Sequence, residues 1–129
     1  MLPVTDMHFL GERAPGHTVS VEAGMICVLI PQFELPRGFT QARSDLLLRL
    51  SPGYPDIPPD MWWFDPPVQR PDGREIPATQ VRERHLGREW QRWSRHFNGG
   101  QWRSGVDSLE SFLAIVRREL GAGAAQAAQ

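Results

Sequence analysis

Apolar residues occur in short, strand-length segments through the first half of the chain. Residues 18–22 alternate between apolar and polar side chains, and residues 25–30 form a continuous apolar run. Residues 43–50 end in a nearly all-apolar stretch, which predicts a strand buried on both faces. A fourth segment, about residues 60–65, contains Met-Trp-Trp-Phe. No long helical pattern separates these segments, so we predict a four-stranded antiparallel meander.

Helical patterns lie at both ends of the sequence. The first 13 residues predict a short helix that Thr5 or Asp6 could cap. The last helix has the clearest pattern. Asp107 is its predicted cap, Glu110 completes a capping box, and Gly121 is its predicted end. Its buried face would consist of Leu109, Phe112, Leu113, Val116 and Leu120.

A further helix is predicted over residues 80–97, because its large apolar residues recur at i, i+4, i+7 and i+11. The apolar stripe would be Leu86, Trp90, Trp93 and Phe97, with Arg84, Arg88 and Arg95 facing water on the opposite side. On such a helix His85, Glu89 and His96 share one flank, and Ser94 lies on the other.

Six of the 12 prolines lie in residues 51–67. A strand is followed there by Tyr-Pro-x-x-Pro-Pro at residues 54–59, a second strand, and Asp-Pro-Pro at 65–67. This order resembles the ubiquitin-conjugating-enzyme-like (UBC-like) superfamily. Trp-Ser-Arg-His at 93–96, and Trp-Arg-Ser-Gly-Val-Asp at 102–107 before the last helix, resemble its bacterial branch, prokaryotic E2 family E. The resemblance covers roughly residues 19–120 and implies an α+β fold: a four-stranded antiparallel meander with flanking helices and a proline-rich corner.

The usual chemistry of that family is contradicted by the residues present. Its members carry a ubiquitin-like modifier as a thioester on a cysteine that follows the proline corner, but residues 68–101 contain no cysteine. The one cysteine, Cys27, lies in an early apolar strand, which predicts an unreactive core residue. The family's oxyanion-stabilising His-Pro-Asn is replaced by Asp65-Pro66-Pro67, and an ionised aspartate has no proton to donate.

Three residues are candidates for a substitute site: Ser94, His96 and His85. Ser94 lies eight positions before Trp102, close to the spacing expected for the family cysteine, but serine needs a base to become a nucleophile. His96 is the nearest base in sequence, although residues i and i+2 of a helix point apart. The alternative is that these side chains only bond to the backbone. His85 and Glu89 have ligand spacing, but two groups are too few for zinc, so we predict no metal and no cofactor.

Composition indicates one ordinary globular domain, residues 1–120, followed by an Ala/Gly/Gln tail, 121–129, that we expect to be disordered. No run approaches the ~20 apolar residues of a membrane span, and no signal peptide is recognisable. A single cysteine fits a reducing cytoplasm. The net charge is −1, but residues 81–103 contain six arginines and two glutamates. This segment is either a solvated face or a docking face for an acidic protein; nucleic acid is a poorer fit because the sequence as a whole is not basic.

Three functions are therefore open. The first is an E2-like component of a bacterial ubiquitin-like conjugation pathway, without the usual catalytic cysteine. The resemblance implies partnership with an E1-like activating enzyme, a ubiquitin-like modifier and a JAB-type peptidase, and a role in antiphage defence. The second is a catalytically inactive E2 variant that acts as an adaptor for the modifier or the activating enzyme. The third is an unrelated small hydrolase or metal-binding protein.

Overall fold

The structure is a computed structural model that describes residues 2–95 and 101–125. Within these residues the protein forms two helices and six strands, which are listed here in order: α1 (Val4–Arg13), β1 (Thr18–Glu22), β2 (Met25–Glu34), β3 (Arg43–Leu50), β4 (Met61–Asp65), β5 (Arg82–His85), β6 (Arg88–Ser94) and α2 (Leu109–Gly123). The strands form one antiparallel sheet in the order β1-β2-β3-β4-β6-β5. None of the described helices is long and apolar enough to cross a membrane.

Strands β1 to β4 lie where the apolar pattern placed them, but the described sheet has six strands instead of the predicted four. The prediction of a helix over residues 80–97 is wrong, because residues 82–94 form the hairpin β5–β6; residues 96 and 97 lie outside the described part of the protein. Leu86 and Gly87 make the two-residue turn with positive φ angles of 52° and 74°. That geometry matches the twist of a β-hairpin.

Strand β3 is buried on both faces, as its apolar run predicted. Leu46, Leu48 and Leu50 join the larger core, which α2 covers with Phe112 and its other buried residues. Leu47 points to the opposite face, where a smaller cluster contains Cys27, Leu47, Trp63 and Trp90, with Leu29, Met61 and Leu86 packed against it. Side chains alternate between faces along a strand, so Trp90 and Trp93 belong to different clusters.

The sheet curls toward the face that carries the smaller cluster. Glu22, at the end of edge strand β1, accepts a hydrogen bond of 2.9 Å from the backbone N–H of Leu86 in the β5–β6 turn. Arg88 on β6 donates to Asp65 on β4 (2.8 Å) and to Asp45 on β3 (2.9 Å). These bonds hold the hairpin over the small cluster, so that the cluster is shielded from water.

The helix caps differ from those predicted. α1 begins after Pro3, so neither Thr5 nor Asp6 is its cap. The cap of α2 is Ser108 instead of Asp107, and Ser111 takes the capping-box position predicted for Glu110, accepting from the Ser108 N–H at 2.8 Å. α2 continues past Gly121 to Gly123 because Arg70 donates to the carbonyl groups of Gly123 and Ala124 and satisfies that end.

Asp6 instead joins three parts of the fold. It is 2% exposed and accepts hydrogen bonds from the Tyr54 hydroxyl (2.7 Å) and from the Leu109 N–H at the start of α2 (3.0 Å). Burial and the bond to Asp6 raise the pKa of Tyr54 above its ordinary range. One carboxylate therefore ties α1, the Tyr-Pro-x-x-Pro-Pro segment and α2 together.

Candidate functional site

A groove of about 360 Å³ opens on the sheet face opposite the helices. Residues 57–60 of the Tyr-Pro-x-x-Pro-Pro region form one wall, and side chains of β2 to β6 form the remainder. Its lining consists of Met25, Arg49, Ser51, Ile57, Pro58, Pro59, Asp60, Met61, Trp63, Glu83 and Arg92. The groove thus combines apolar walls with two arginines and two carboxylates.

Glu83 is the centre of the polar network in this groove. Its Oε1 accepts from the Trp63 indole at 2.9 Å and lies 3.1 Å from His85 Nε2, while its Oε2 accepts from Arg92 at 2.9 Å. Burial raises the pKa of Glu83, but the bonds to His85 and Trp63 and the charge of Arg92 outweigh it, so the pKa is lowered overall. Glu83 therefore stays ionised and fixes the indole and guanidinium that line the groove.

His85 lies behind this network and does not line the groove. Its Nδ1 is 3.8 Å from Glu22, its Nε2 bonds to Glu83, and its ring packs edge-on against Trp63 with centroids 5.4 Å apart. Only 12% of its side chain is exposed. These contacts are those of a packed histidine that orients Glu83, and a catalytic role for His85 stays a prediction.

Ser94 is the last residue of β6 and pairs with Met61, the first residue of β4. It is half-buried, and its backbone N–H donates to the Ala78 carbonyl at 3.1 Å. Met61 lines the groove, so Ser94 lies beside the groove at the start of β4. Asp65 and the following prolines lie at the opposite end of β4. His96 lies outside the described residues.

The structure does not bring His85 and Ser94 together. His85 pairs with Arg88 at the start of β6, and Ser94 lies six residues further along β6. At about 3.3 Å per residue, His85 and Ser94 are therefore about 20 Å apart. The predicted ligand spacing of His85 and Glu89 is also lost, because Glu89 pairs with Arg84 and points to the opposite face of the hairpin. Among the described residues, no group of three or more His, Cys, Asp or Glu side chains could hold a metal ion.

Cys27 is a core residue, as predicted. It is 1% exposed and packs in the smaller cluster with Leu47, Trp63 and Trp90. The curled hairpin lies over this cluster, so the sulfur is separated from the groove by packed side chains. A thiol in this position is closed to solvent and to a second protein.

Of the three arginines predicted to face water, Arg84 is exposed, whereas Arg88 and Arg95 are partly buried in ion pairs. Arg88 forms ion pairs with Asp45 and Asp65 and lies over the Trp90 ring at 4.4 Å. Burial lowers the pKa of Arg88, but the two carboxylates outweigh it and raise it overall.

Arg95 donates to Glu119 of α2 at 2.7 Å, and Arg92 pairs with Glu83. The positive charge of residues 81–103 is therefore partly neutralised within the fold. A docking face for an acidic partner made by the whole segment is correspondingly less well supported.

The groove residues Arg49, Trp63, Glu83 and Arg92 were not among the predicted site residues. A period of two in residues 82–94 was the available signal, since Arg82 and Arg84 alternate with Glu83 and His85. Trp90 and Trp93 are spaced as on one face of a helix, and this spacing led to the wrong prediction.

The sequence profile of prokaryotic E2 family E matches residues 2–122. The protein therefore belongs to this family, and at the level of the family its role is E2-like, in protein conjugation. No curated protein and no solved structure matches the sequence.

Proposed function

We propose that this protein is an E2-like component of a ubiquitin-like conjugation pathway that does not form a thioester on its own cysteine. The burial of Cys27 carries this proposal: the one cysteine of the protein is 1% exposed beneath the curled hairpin. A thioester carrier must admit the carboxyl end of the modifier and then a nucleophile to its sulfur. Neither reactant can reach Cys27 while the small cluster is packed.

Within this role, the geometry favours an adaptor that binds the modifier or the activating enzyme. Ser94 needs a base to carry an oxyester, and His85 is about 20 Å away along the strands. Asp65, in the tripeptide that replaces the family's His-Pro-Asn, is instead an acceptor for Arg88. In the second form of the proposal, Ser94 carries an oxyester and His96 activates it. An unrelated hydrolase or metal protein is disfavoured by the family membership.

The proposal also assigns the parts of the fold. Strands β1 to β4 would be the four-stranded meander of the UBC-like fold, and residues 65–67 its proline-rich corner. The hairpin β5–β6 would be an addition in the interval where the usual enzymes carry their cysteine. The expected partners are an E1-like activating enzyme, a ubiquitin-like modifier and a JAB-type peptidase in the bacterial cytoplasm, and the pathway would serve antiphage defence.

The test incubates the protein with its activating enzyme, the modifier and ATP. One half of each reaction is run on denaturing gels with and without a reducing thiol or hydroxylamine, and the other half is run on a native sizing column. We expect no thiol-sensitive adduct and a non-covalent complex on the column. A thiol-sensitive adduct that disappears in Cys27→Ala would overturn the proposal.

Serine variants distinguish the adaptor from the oxyester carrier. A hydroxylamine-sensitive adduct that is lost in Ser94→Ala, but kept in the matched variant Ser20→Ala, would identify Ser94 as a carrier and exclude the adaptor. Ser20 is an exposed serine on β1 and does not line the groove, so its replacement controls for the loss of a strand hydroxyl. An adduct that survives both substitutions would remove Ser94 from the role.

A further inference from the structure

Strand β1 is an open edge of the sheet. It pairs with β2 on one side, and within the described part of the protein no strand pairs with its other side. Residues 18–21 are all exposed, and only Glu22 is half-buried, where it contacts the β5–β6 turn. Such an edge presents backbone N–H and C=O groups with which a further strand can pair.

The turn between β1 and β2 determines which of these groups point outward. Ala23 and Gly24 form a two-residue turn with φ angles of 52° and 77°, so Glu22, which flanks the turn, forms a hydrogen-bonded pair with β2. Bonded and non-bonded pairs alternate along antiparallel strands. The N–H and C=O groups of Val19 and Val21 therefore point away from β2.

The two edges of the sheet differ in their protection against a further strand. The opposite edge, β5, consists of Arg-Glu-Arg-His at residues 82–85, and charged side chains on an edge oppose pairing. β1 is Thr-Val-Ser-Val-Glu, which has one charge, at its end, and no proline. Of these two edges, β1 is the one whose sequence permits pairing.

Apolar side chains are exposed beside this edge. Val4 and Met7 on α1, with Val19 and Val21 on β1, are four of the seven large apolar side chains that are exposed in the described residues. Val21 pairs with Ile26 of the larger core, so the two valines point to the face that carries the helices. A cavity of about 380 Å³ on this face is lined by Leu2, Met7, Val19, Ser20, Val21 and Ile26. An exposed apolar patch of this kind marks a contact with another protein.

The sequence of β1 is complementary to itself about a two-fold axis at Ser20. In an antiparallel pair of two β1 strands centred there, Val19 lies opposite Val21 of the second copy, and the outward N–H and C=O groups of the two valines meet. Glu22 lies opposite Thr18 of the second copy, so no like charges face each other. A pair centred on either valine would bring together only one set of outward groups within β1, so the centre at Ser20 is favoured.

We propose that two copies of this protein associate through β1, paired antiparallel about Ser20, so that their two sheets become continuous. The exposed apolar side chains of α1 and β1 then meet those of the second copy on one face. A net charge of −1 gives little repulsion between copies. A strand of five residues and a few helical side chains bury less than the ~1,200 Å² of a standard interface. The dimer should therefore be weak, with a Kd on the order of 10–100 µM. This inference goes beyond the proposed function and does not depend on it.

Sedimentation equilibrium of the full-length protein, from roughly 10 µM to 1 mM, measures the association. We expect the average mass to rise from that of one chain toward that of two. Val21→Lys places a charge on the edge and should weaken association at least about tenfold. Val106→Lys is the matched control, because it adds the same charge at a valine that is 74% exposed, against 73% for Val21, but lies outside β1; it should associate as the unsubstituted protein does. Dispersed amide spectra show that each variant is folded.

Disulfide cross-linking tests the register. The Cβ atoms of the central pair would lie about 4.5–5.5 Å apart, so Ser20→Cys should form a cross-linked dimer under mild oxidation after a small adjustment. The two Thr18 residues would be separated by four positions, about 13 Å, so Thr18→Cys should cross-link at least about tenfold more slowly. The unsubstituted protein, alkylated before denaturation, controls for Cys27. Backbone groups make the pairing, so Ser20→Ala leaves it intact.

Three results would each overturn the inference. The first is the mass of a single chain at every concentration up to about 1 mM. The second is a folded Val21→Lys protein that associates as tightly as Val106→Lys. The third is that Thr18→Cys cross-links as fast as Ser20→Cys. A single-chain protein that still binds the modifier or the activating enzyme would contradict this inference alone, whereas a dimer that forms a thioester on Cys27 would contradict the proposed function alone.

Discussion

Replacement of Asp6 by alanine should destabilise the protein far more than an ordinary helix substitution. The change removes the acceptor of two buried donors, the Tyr54 hydroxyl at 2.7 Å and the Leu109 N–H at 3.0 Å. Each buried donor left without a partner costs about 1–3 kcal/mol, so we expect the free energy of unfolding to fall by about 2–6 kcal/mol. A domain is commonly stable by only about 5–15 kcal/mol, so this loss is a large fraction of the total.

Urea unfolding followed by tryptophan fluorescence measures the change. Asp6→Asn keeps one acceptor and should lie between alanine and the unsubstituted protein. Glu12→Ala is the control on the same helix, because 64% of the Glu12 side chain is exposed; it should change stability by no more than about 0.5 kcal/mol. A loss below about 1 kcal/mol for Asp6→Ala, in a protein that keeps its fold, would refute the claim that this carboxylate joins α1, the Tyr54 segment and α2.

Three further predictions follow from burial and backbone geometry. The raised pKa of Tyr54 contributes stability that is complete below its ordinary value of 10.0 and is lost as the pH rises from there through the folded-state value. The unfolding free energy of the parent should therefore fall above pH 10.0, whereas Tyr54→Phe should lack this contribution; the ultraviolet absorbance of the one tyrosine reports its ionisation. Gly38→Ala should destabilise more than Gly24→Ala in urea unfolding, because both have positive φ but only at Gly38 would a Cβ lie 2.5 Å from the Ala125 carbonyl oxygen; equal losses would contradict that contact. Cys27→Ala should cost roughly 1 kcal/mol or more through lost buried volume and leave partner binding unchanged; abolished binding by a folded variant would show that the thiol has a functional role.

Strands β2, β3 and β4 were predictable because each is a short apolar segment whose side chains are mostly buried, whereas the largely exposed β1 was predictable from its alternating side chains alone. The run of leucines in β3 is buried on both faces, with Leu47 and Leu48 in different clusters. The last helix was predictable for a similar reason, since its buried residues follow the period of an α-helix. In these segments local pattern and tertiary environment agree.

The hairpin β5–β6 was missed because the spacing of its tryptophans matches that of a helix. Trp90 and Trp93 are spaced as on one helix face, but in the structure each fills a different side of a strand that is buried on both faces. The turn also places Leu86 at positive φ, which is unfavourable for a residue with a Cβ. Contact with Glu22, 64 residues away, stabilises it there. The turn is therefore determined by this tertiary contact as well as by Gly87.

The groove was missed for the same reason. Arg49, Trp63 and Glu83 lie on three different strands, and the indole of Trp63 reaches the carboxylate of Glu83 only because β5 follows β6 in the sheet. A helix over residues 80–97 would not bring Glu83 to either Arg49 or Trp63. The absence of a cysteine from residues 68–101, in contrast, required no structure, because it is read from the residues alone.

The accessibility of the Cys27 sulfur tests most directly whether this E2-family protein works without a thioester. Iodoacetamide labelling, quantified by mass spectrometry across a urea series, compares the reaction rate of Cys27 in the folded and unfolded protein. We predict that labelling under native conditions is slower by orders of magnitude and rises only as the protein unfolds, because the sulfur is closed within the small cluster. Rapid labelling of the native protein, at the rate of the unfolded protein and with the fold unchanged, would contradict the account.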